Sequence, residues 1–390
     1  MIGKKCWTVL LFTFHFSLFT LATGCSYLQL KETLKTSEKN WIQYGGTKER
    51  TNVSSVALNP PLEVVWSYDA AAGFSEYSVS VADSFVFLGT LQGEVHVVHV
   101  RTGKSVGSND FGKTIIGTPV IDGNILYVAL ANTEESLLAY DLASGKILWK
   151  ATIGGVETSP LLINDKLYVA TLKGLVYCFD KKTGTMEWKF LLPLFERTAF
   201  IHSSPASDGN VLVFGCDDGS VFCINRQDGK LKWRTETGKS IFASPSINNG
   251  KLFFGSQDEH FYALNLSDGT IAWKQNLGSK IFSSQAVDEK NVYVGTSGGE
   301  IYCLEKISGK ILWTQKTQSA VSCAPFVSGD VVFVGSLDKH LYALDAKDGT
   351  VLWNYEAEAR IKSMPVVFAH YLILLLDNRM VVALKSEAMK

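Results

Sequence analysis

The sequence predicts an all-β fold: an eight-bladed β-propeller of four-stranded antiparallel blades, with the ring closed by an N-terminal strand in the last blade. Three observations lead there. Tryptophan recurs at Trp149, Trp188, Trp233, Trp273, Trp313 and Trp353, at intervals of 39, 45, 40, 40 and 40 residues. A glycine stands four residues before each of them. Another tryptophan strand, residues 62–68 around Trp66, lies ahead of all the repeats with nothing upstream to complete it. A period near 40 residues marks an array of small sheets, none of which can bury its faces alone.

The unit is clearest over residues 280–317. An apolar run at 281–287 is followed by a turn at 288–290 and an alternating Val-Tyr-Val-Gly stretch ending near Thr296. A second turn at 297–299 leads to Glu-Ile-Tyr-Cys-Leu-Glu, then to Ser308-Gly309-Lys310 and Ile311-Leu312-Trp313. Four short strands joined by Gly- or Asp-containing turns form an antiparallel meander. Apolar residues fall on both sides of the middle strands, so both faces must be covered, as they are when copies stack around an axis. The template places full blades at residues 76–108, 115–150, 156–189, 201–234, 241–274, 281–314 and 321–354. The last unit, 361–385, offers three strands and no tryptophan strand. The strand around Trp66 completes it, which joins the chain ends and removes an exposed sheet edge. The propeller is thus expected over residues 62–390, as a monomer.

Trp66, Trp149, Trp188, Trp233, Trp273, Trp313 and Trp353 are expected to dock one blade on the next. The turns before the repeat tryptophans, such as Asp268-Gly269 and Ser308-Gly309, suit positive φ. An indole laid across a neighbouring blade buries roughly 150–250 Å². Blade 1 departs from the rule, with Gly107 where a tryptophan is expected.

Residues 1–24 read as a lipoprotein signal peptide. Lys4 and Lys5 form a charged start, and residues 7–21 are apolar, too short for a membrane span of roughly 20 residues. Leu21-Ala-Thr-Gly-Cys25 ends the segment with small residues, making Cys25 the expected lipidated residue. Residues 25–61 then comprise the lipidated cysteine, a tether and a pre-propeller segment. Within them, the polar and charged residues 26–40 are expected to act as a flexible tether. The expected location is the cell envelope, lipid-anchored at the outer membrane and facing the periplasm. With a net charge of −1 and mixed charges, nothing points to nucleic acid.

Of seven cysteines, five remain beyond Cys6 and Cys25. Cys178, Cys223 and Cys303 share a third-strand slot filled by Ala263 and Ala343 elsewhere, which indicates packing. No zinc spacing occurs, and no metal site is expected. His260 and His340 occupy equivalent turns two blades apart; His96 and His99 point to opposite faces of one strand. Blades open with small residues such as Ser159-Pro160, Ser203-Ser204-Pro205 and Ser283-Ser284, expected from crowding at the axis, with a polar ring that holds a small ligand as the alternative. No serine is expected to share a neighbourhood with a histidine and a carboxylate, so no catalytic residues are assigned.

The recurring Tyr-Ala-Leu-Asp-x-x-x-Gly-x-x-x-Trp, as at residues 342–353, resembles the PQQ-binding-like (quinoprotein) propeller repeat. Trp41-Ile-Gln-Tyr-Gly-Gly46, with Arg50-Thr51 and Ser54, is similar to the segment that often precedes such propellers. The repeat family includes quinone-dependent alcohol and sugar dehydrogenases as well as non-catalytic scaffolds. The alcohol-oxidising members use a disulfide of adjacent cysteines and a calcium site; this chain has no adjacent cysteines and no Cys-x-x-Cys-His for haem. No cofactor is therefore expected, PQQ included. The other branch is the propeller lipoproteins of the outer-membrane β-barrel assembly machinery, the BamB-like proteins. That resemblance implies a non-catalytic scaffold that docks periplasmic or outer-membrane protein partners, with the dehydrogenase as the alternative. The long interval between Trp188 and Trp233 comes from residues 190–200, at a connection that this family extends to grip its barrel partner. Leu194, Phe195 and Arg197 are the resulting candidate contacts, of the apolar and arginine type that anchors interfaces.

Overall fold

The computed structural model describes residues 28–35, 40–77, 79–193 and 200–386. The expectations for Cys25, Leu194, Phe195 and Arg197 fall outside those residues. Eight antiparallel sheets surround one axis, and the described residues form no helix. The innermost strands of blades 1 to 8 are Val79–Ala82, Val120–Asp122, Leu161–Ile163, Ala206–Ser207, Ser246–Asn248, Ala286–Val287, Phe326–Ser328 and Val366–Phe368. Blade 8 is completed by Leu62–Asp69, which pairs antiparallel with Met380–Ser386 in the register Leu62 to Ser386 and Asp69 to Met380. The ring is closed as the orphan strand demanded. Second strands such as Val331–Gly335 are buried at every residue, whereas the outermost strand Val351–Glu356 alternates exposed with partly buried positions. That is the burial expected of blades covered on both faces and wet only at the rim.

The tryptophans sit in a repeated socket. The indole of Trp66 donates to the carbonyl of Val100 in the next blade at 2.8 Å, and Trp149, Trp188, Trp233, Trp273 and Trp313 do the same to Lys181, Arg226, Leu266, Lys306 and Ala346 at 2.9–3.2 Å. Each ring lies over the turn glycine of that next blade. A Cβ on Gly309 would stand 2.4 Å from the Trp273 ring, and Gly309 has φ +73°. Both space and backbone therefore require glycine there. The tryptophan also faces the third-strand slot directly: Cys178, Cys223, Cys303, Ala263 and Ala343 pair with Trp188, Trp233, Trp313, Trp273 and Trp353. The slot holds small residues because the indole beside it is large.

Blade 1 shows what replaces a missing tryptophan. Val97 pairs with Gly107, so a larger residue fills the slot. Across the interface, Leu142 of blade 2 occupies the position whose carbonyl elsewhere accepts an indole N–H. Here the backbone N–H of Leu30 donates to it at 2.7 Å. Leu28, Leu30 and Leu34 are buried in the blade 1 and blade 2 core with Phe85, Phe87, Tyr140 and Leu142. The Tyr140 hydroxyl donates to the Leu28 carbonyl at 2.7 Å, and Asn124 accepts from the Leu34 N–H at 2.8 Å. The expectation of a flexible tether over residues 26–40 is therefore corrected for residues 28–35. Three leucines two and four positions apart supply an apolar stripe, and the gap at Gly107 provides its socket.

Residues 41–54 do something further, crossing the mouth of the ring from blade to blade. Trp41 bridges Val81 of blade 1 in both directions, at 2.8 and 2.9 Å. The Ile42 carbonyl then accepts from Ile121 of blade 2, and the Gln43 side-chain oxygen from Leu162 of blade 3, each at 3.0 Å. The carbonyls of Lys48, Glu49, Thr51 and Asn52 accept from Ser207, Ile247, Val287 and Val327 in blades 4 to 7 at 2.9–3.0 Å. Val53–Ser54 finally pairs parallel with the inner strand of blade 7. Innermost strands expose a row of unpaired N–H groups toward the axis; this girdle satisfies one in each blade it passes. Its turn is compact. A Cβ on Gly45 would meet Arg50 Cα at 2.6 Å, and one on Gly46 would meet the Trp41 ring at 2.5 Å.

Candidate functional site: the open end of the channel

The girdle closes the end of the channel where first and second strands join. The opposite end opens into a cavity of about 420 Å³, lined by Ser75, Glu76, Tyr77 and Leu91 of blade 1 and by Ile116, Glu157, His202, Phe242, Phe282 and Ser322 of blades 2 to 7. One slot supplies most of this lining. It follows the Ile or Val that opens each blade, and it reads Ile116, Glu157, His202, Phe242, Phe282, Ser322 and Lys362 from blade 2 to blade 8. Closer to the axis, serines stitch the blades together. The hydroxyls of Ser159, Ser204, Ser244 and Ser284 accept the backbone N–H of Thr118, Ser159, Ser204 and Ser244, each at 2.9 Å. Small size and hydrogen bonding both account for these serines. The series stops at blade 7, where Ala324 takes the slot.

His202 is held from both sides. Nδ1 lies 3.1 Å from Glu157 and Nε2 3.4 Å from Asp217, and these two carboxylates push its pKa up to about 9. Beside it the Phe242 ring stands edge-on at 5.0 Å, and Phe282 follows at 6.3 Å. Glu76 has the opposite perturbation: burial pushes its carboxyl up to about 7, opposed by the charge of Lys362 and a hydrogen bond from Tyr77. Lys362 is itself drawn to Asp377 at 2.7 Å. The Ser322 hydroxyl is buried and has no hydrogen-bond partner among the described residues.

The expectation that no serine shares a neighbourhood with a histidine and a carboxylate is corrected here, since His202, Glu157, Ser75 and Ser322 line one cavity. Residues 45 or more apart are brought together by the stacking of blades around the ring. The grouping still lacks the makings of a nucleophile. Both imidazole nitrogens of His202 donate to carboxylates, so neither is free to take a proton from a hydroxyl. Gly103-Lys-Ser-Val-Gly107 and Gly295-Thr-Ser-Gly-Gly299 spell the pattern of a nucleophile elbow, but they lie in strand-and-turn segments without the following helix that such an elbow needs.

His260 and His340 open the third strands His260–Asn265 and His340–Asp345 rather than lying in the turns before them, with Nδ1 at 2.9 and 3.1 Å from the carbonyls of Asp258 and Asp338. His96 is buried against Tyr68 and Glu94, while His99 packs edge-on against Phe85. Among the described residues no three His, Cys, Asp or Glu side chains cluster as metal ligands. Cys178, Cys216, Cys223, Cys303 and Cys323 are buried free thiols. Burial pushes Cys178, Cys223, Cys303 and Cys323 up to about 12, and Cys216 well above its ordinary value. Iodoacetamide at about pH 8 is expected to leave all five unmodified in the folded protein and to label all five in concentrated urea, as read by mass spectrometry. Labelling of any of them under native conditions at the rate of a free thiol would contradict the packing role.

The sequence carries a family signature along nearly all of this architecture. The family model described as outer membrane protein assembly factor BamB matches residues 51–190, 196–286 and 269–387. The chain belongs to the BamB family. The BamB of Burkholderia pseudomallei (strain K96243) is 31% identical over 186 residues, covering 46% of this chain and 47% of that protein. The match thus spans about half the length of such a relative. Among solved structures, BamB from Moraxella catarrhalis superposes with a TM-score of 0.71 at 15% identity, over 83% of this chain and 100% of that one. The quinohemoprotein alcohol dehydrogenase of Comamonas testosteroni superposes with a TM-score of 0.77 at 13% identity, over 89% of this chain and 80% of that one. At such identities the likeness is one of fold, and the same ring serves an assembly factor and an oxidoreductase. What the BamB sequence signature adds is the branch.

Proposed function

We propose that this protein is a non-catalytic scaffold of outer-membrane β-barrel protein assembly, lipid-anchored through Cys25 and docking protein partners from the periplasmic side. The observation that carries the reading is the BamB family match along the whole propeller. The make-up of the open cavity agrees with it. A quinone that bears several carboxylates calls for a cationic cradle, whereas this cavity is lined by the carboxyl groups of Glu76 and Glu157. Its one cationic side chain among the described residues, His202, is already matched by Glu157 and Asp217, and nearby Lys362 is matched by Asp377. We therefore propose no PQQ cofactor and derive no redox step.

The docked leader adds an orientation. Leu28 is buried three residues after Cys25, and an extended chain of three residues spans roughly 10 Å. A lipid on Cys25 would hold the blade 1 and blade 2 rim, with Asn124 and Ala143, next to the bilayer. The open cavity is at the other end of the channel, facing away. Leu192 and Pro193 leave blade 3 on that far side, and the proposed contacts Leu194, Phe195 and Arg197 follow them in the sequence.

Crosslinked co-purification from membranes tests the role. The wild-type protein is expected to recover components of the barrel assembly machinery, and the double substitution of Phe195 and Arg197 by alanine to reduce that recovery at least about tenfold, since such anchors carry most of an interface. Recovery at the wild-type level by the double variant would remove these residues from the interface. Recovery of none of the machinery by the wild type would remove the role itself. Replacing Cys25 by serine is expected to release the protein from the membrane.

A further inference from the structure

The open cavity has a chemistry that scaffolding does not use. One wall carries the aromatic rings of Phe242 and Phe282, with Leu91 and Ile116 also apolar. Glu76 and Glu157 bring carboxyl groups into the same space. Glu157 is engaged by His202, whereas Glu76 accepts a hydrogen bond from the neutral Tyr77 hydroxyl and has as its cation only Lys362, whose ammonium sits on Asp377. The Ser322 hydroxyl, buried at the cavity and unpaired, is free to accept a further N–H. A chamber of this size, largely apolar with few convergent polar groups, has the build of a small-ligand site.

We propose that this cavity binds an organic cation, an ammonium or guanidinium on a short apolar stem, with the cation at the Glu76 carboxylate and the Ser322 hydroxyl and the stem against Phe242 and Phe282. The carboxylate supplies the missing counter-charge, and aromatic faces attract cations as well as apolar stems. Two sources share this chemistry: a free arylalkylamine, and an arginine or lysine side chain carried into the cavity by another protein. The inference stands on the cavity and does not depend on the assembly role.

Linkage gives it a direction with pH. Groups facing the cation are Glu76, Glu157, His202, Lys362, Tyr77 and Ser322. His202, raised to about 9, keeps its charge between pH 6 and 8, while Glu76, raised to about 7, ionises within that window. Affinity for a cation should therefore strengthen about tenfold from pH 6 to pH 8 as the carboxylate forms. The same shift has a sign for stability. The folded carboxyl holds its proton to higher pH than the unfolded one, so this group lowers stability as pH rises from 4.5 toward about 7. E76Q should accordingly equal the wild type at low pH and exceed it at pH 8.

The probes are phenethylammonium, its neutral counterpart 2-phenylethanol, the anion phenylacetate, and the capped dipeptides acetyl-Phe-Arg-amide and acetyl-Phe-citrulline-amide, titrated by calorimetry into the full mature chain. Phenethylammonium should bind saturably at one site, at least about tenfold more tightly than the alcohol or the phenylacetate, the scale of one charge-assisted contact. E76Q should abolish that preference and the pH dependence, and F282L, which keeps the wall apolar but removes the aromatic face, should weaken binding several-fold. An Arg peptide bound tenfold more tightly than phenethylammonium assigns the site to a protein side chain. Equal or weaker binding of the peptide assigns it to a free amine. The proposal is overturned if the alcohol or phenylacetate binds as well as the amine, if E76Q, folded by near-ultraviolet circular dichroism, retains wild-type affinity, or if neither cation binds saturably.

Discussion

Replacing Arg50 with alanine is expected to lower the stability of the propeller by about 3–5 kcal/mol, the range for stripping one member from a buried charged hydrogen-bond set. Arg50 is completely buried and lies on the girdle, with a backbone φ of +56°. Its guanidinium reaches three carbonyls at once: Nε donates to Pro205 of blade 4, one terminal nitrogen to Ser159 of blade 3 at 3.1 Å, and the other to Tyr44 of the girdle at 2.8 Å. It also stands over the Tyr44 ring, 5.1 Å from its centre. No carboxylate shares this pocket, so burial lowers the guanidinium pKa to about 10, and the group remains charged at neutral pH. What holds it there is the fork geometry, which aims separate N–H groups at two blades and one crossing strand. Alanine would leave all three carbonyls without their donor. Lysine keeps the charge but offers a compact ammonium on a flexible stem, and should recover less than half of the loss. Urea midpoints of the two variants measure this; a midpoint for the alanine variant equal to the wild type would mean that the girdle is not pinned by Arg50.

The second large effect separates two tryptophans that look alike in sequence. Trp273→Ala should cost about 3–5 kcal/mol, the scale for removing a large packed aromatic. It loses the stack on Gly309 and the hydrogen bond to the Lys306 carbonyl. Trp353→Ala should cost about 1–2 kcal/mol, because only part of that burial is lost. Its neighbour is blade 8, where the third and fourth strands come from opposite ends of the chain and no turn joins them. Trp353 therefore has no turn glycine to cover and stacks instead on Tyr355 at 6.2 Å. Equal losses in the two variants would show that the indole's own area, rather than the socket, decides its contribution.

These two positions mark how far the sequence could be read. The period, the turn glycines and the orphan strand at Trp66 carried the whole ring, because strand alternation and turn chemistry are local properties that repetition amplifies. The small slot held by cysteine or alanine was also visible, though its cause, the indole directly opposite, needed the register. The slot at the open end of the channel recurs at 40-residue spacing in His202, Phe242, Phe282, Ser322 and Lys362. Those residues differ in chemistry while their neighbours repeat, so no recurring motif marks them. A repeat position that varies from blade to blade is a better pointer to a binding surface than one that is constant.

Local pattern, then, determined blade number, closure and the docking role expected of the tryptophans, since each depends on contacts within one unit or between identical neighbours. Tertiary structure alone decided the fate of the N-terminal residues. Polar composition made residues 26–40 read as a tether, and three leucines among charges have no evident partner in one dimension. Only the folded ring reveals that Gly107 leaves a socket, that Leu28 and Leu30 fill it, and that the inner strands present N–H groups for residues 41–54 to satisfy. Those contacts join residues from 40 positions apart, as Trp41 and Val81, to more than 270, as Asn52 and Val327, and hydrogen-bond satisfaction at such separations is a property of the closed ring.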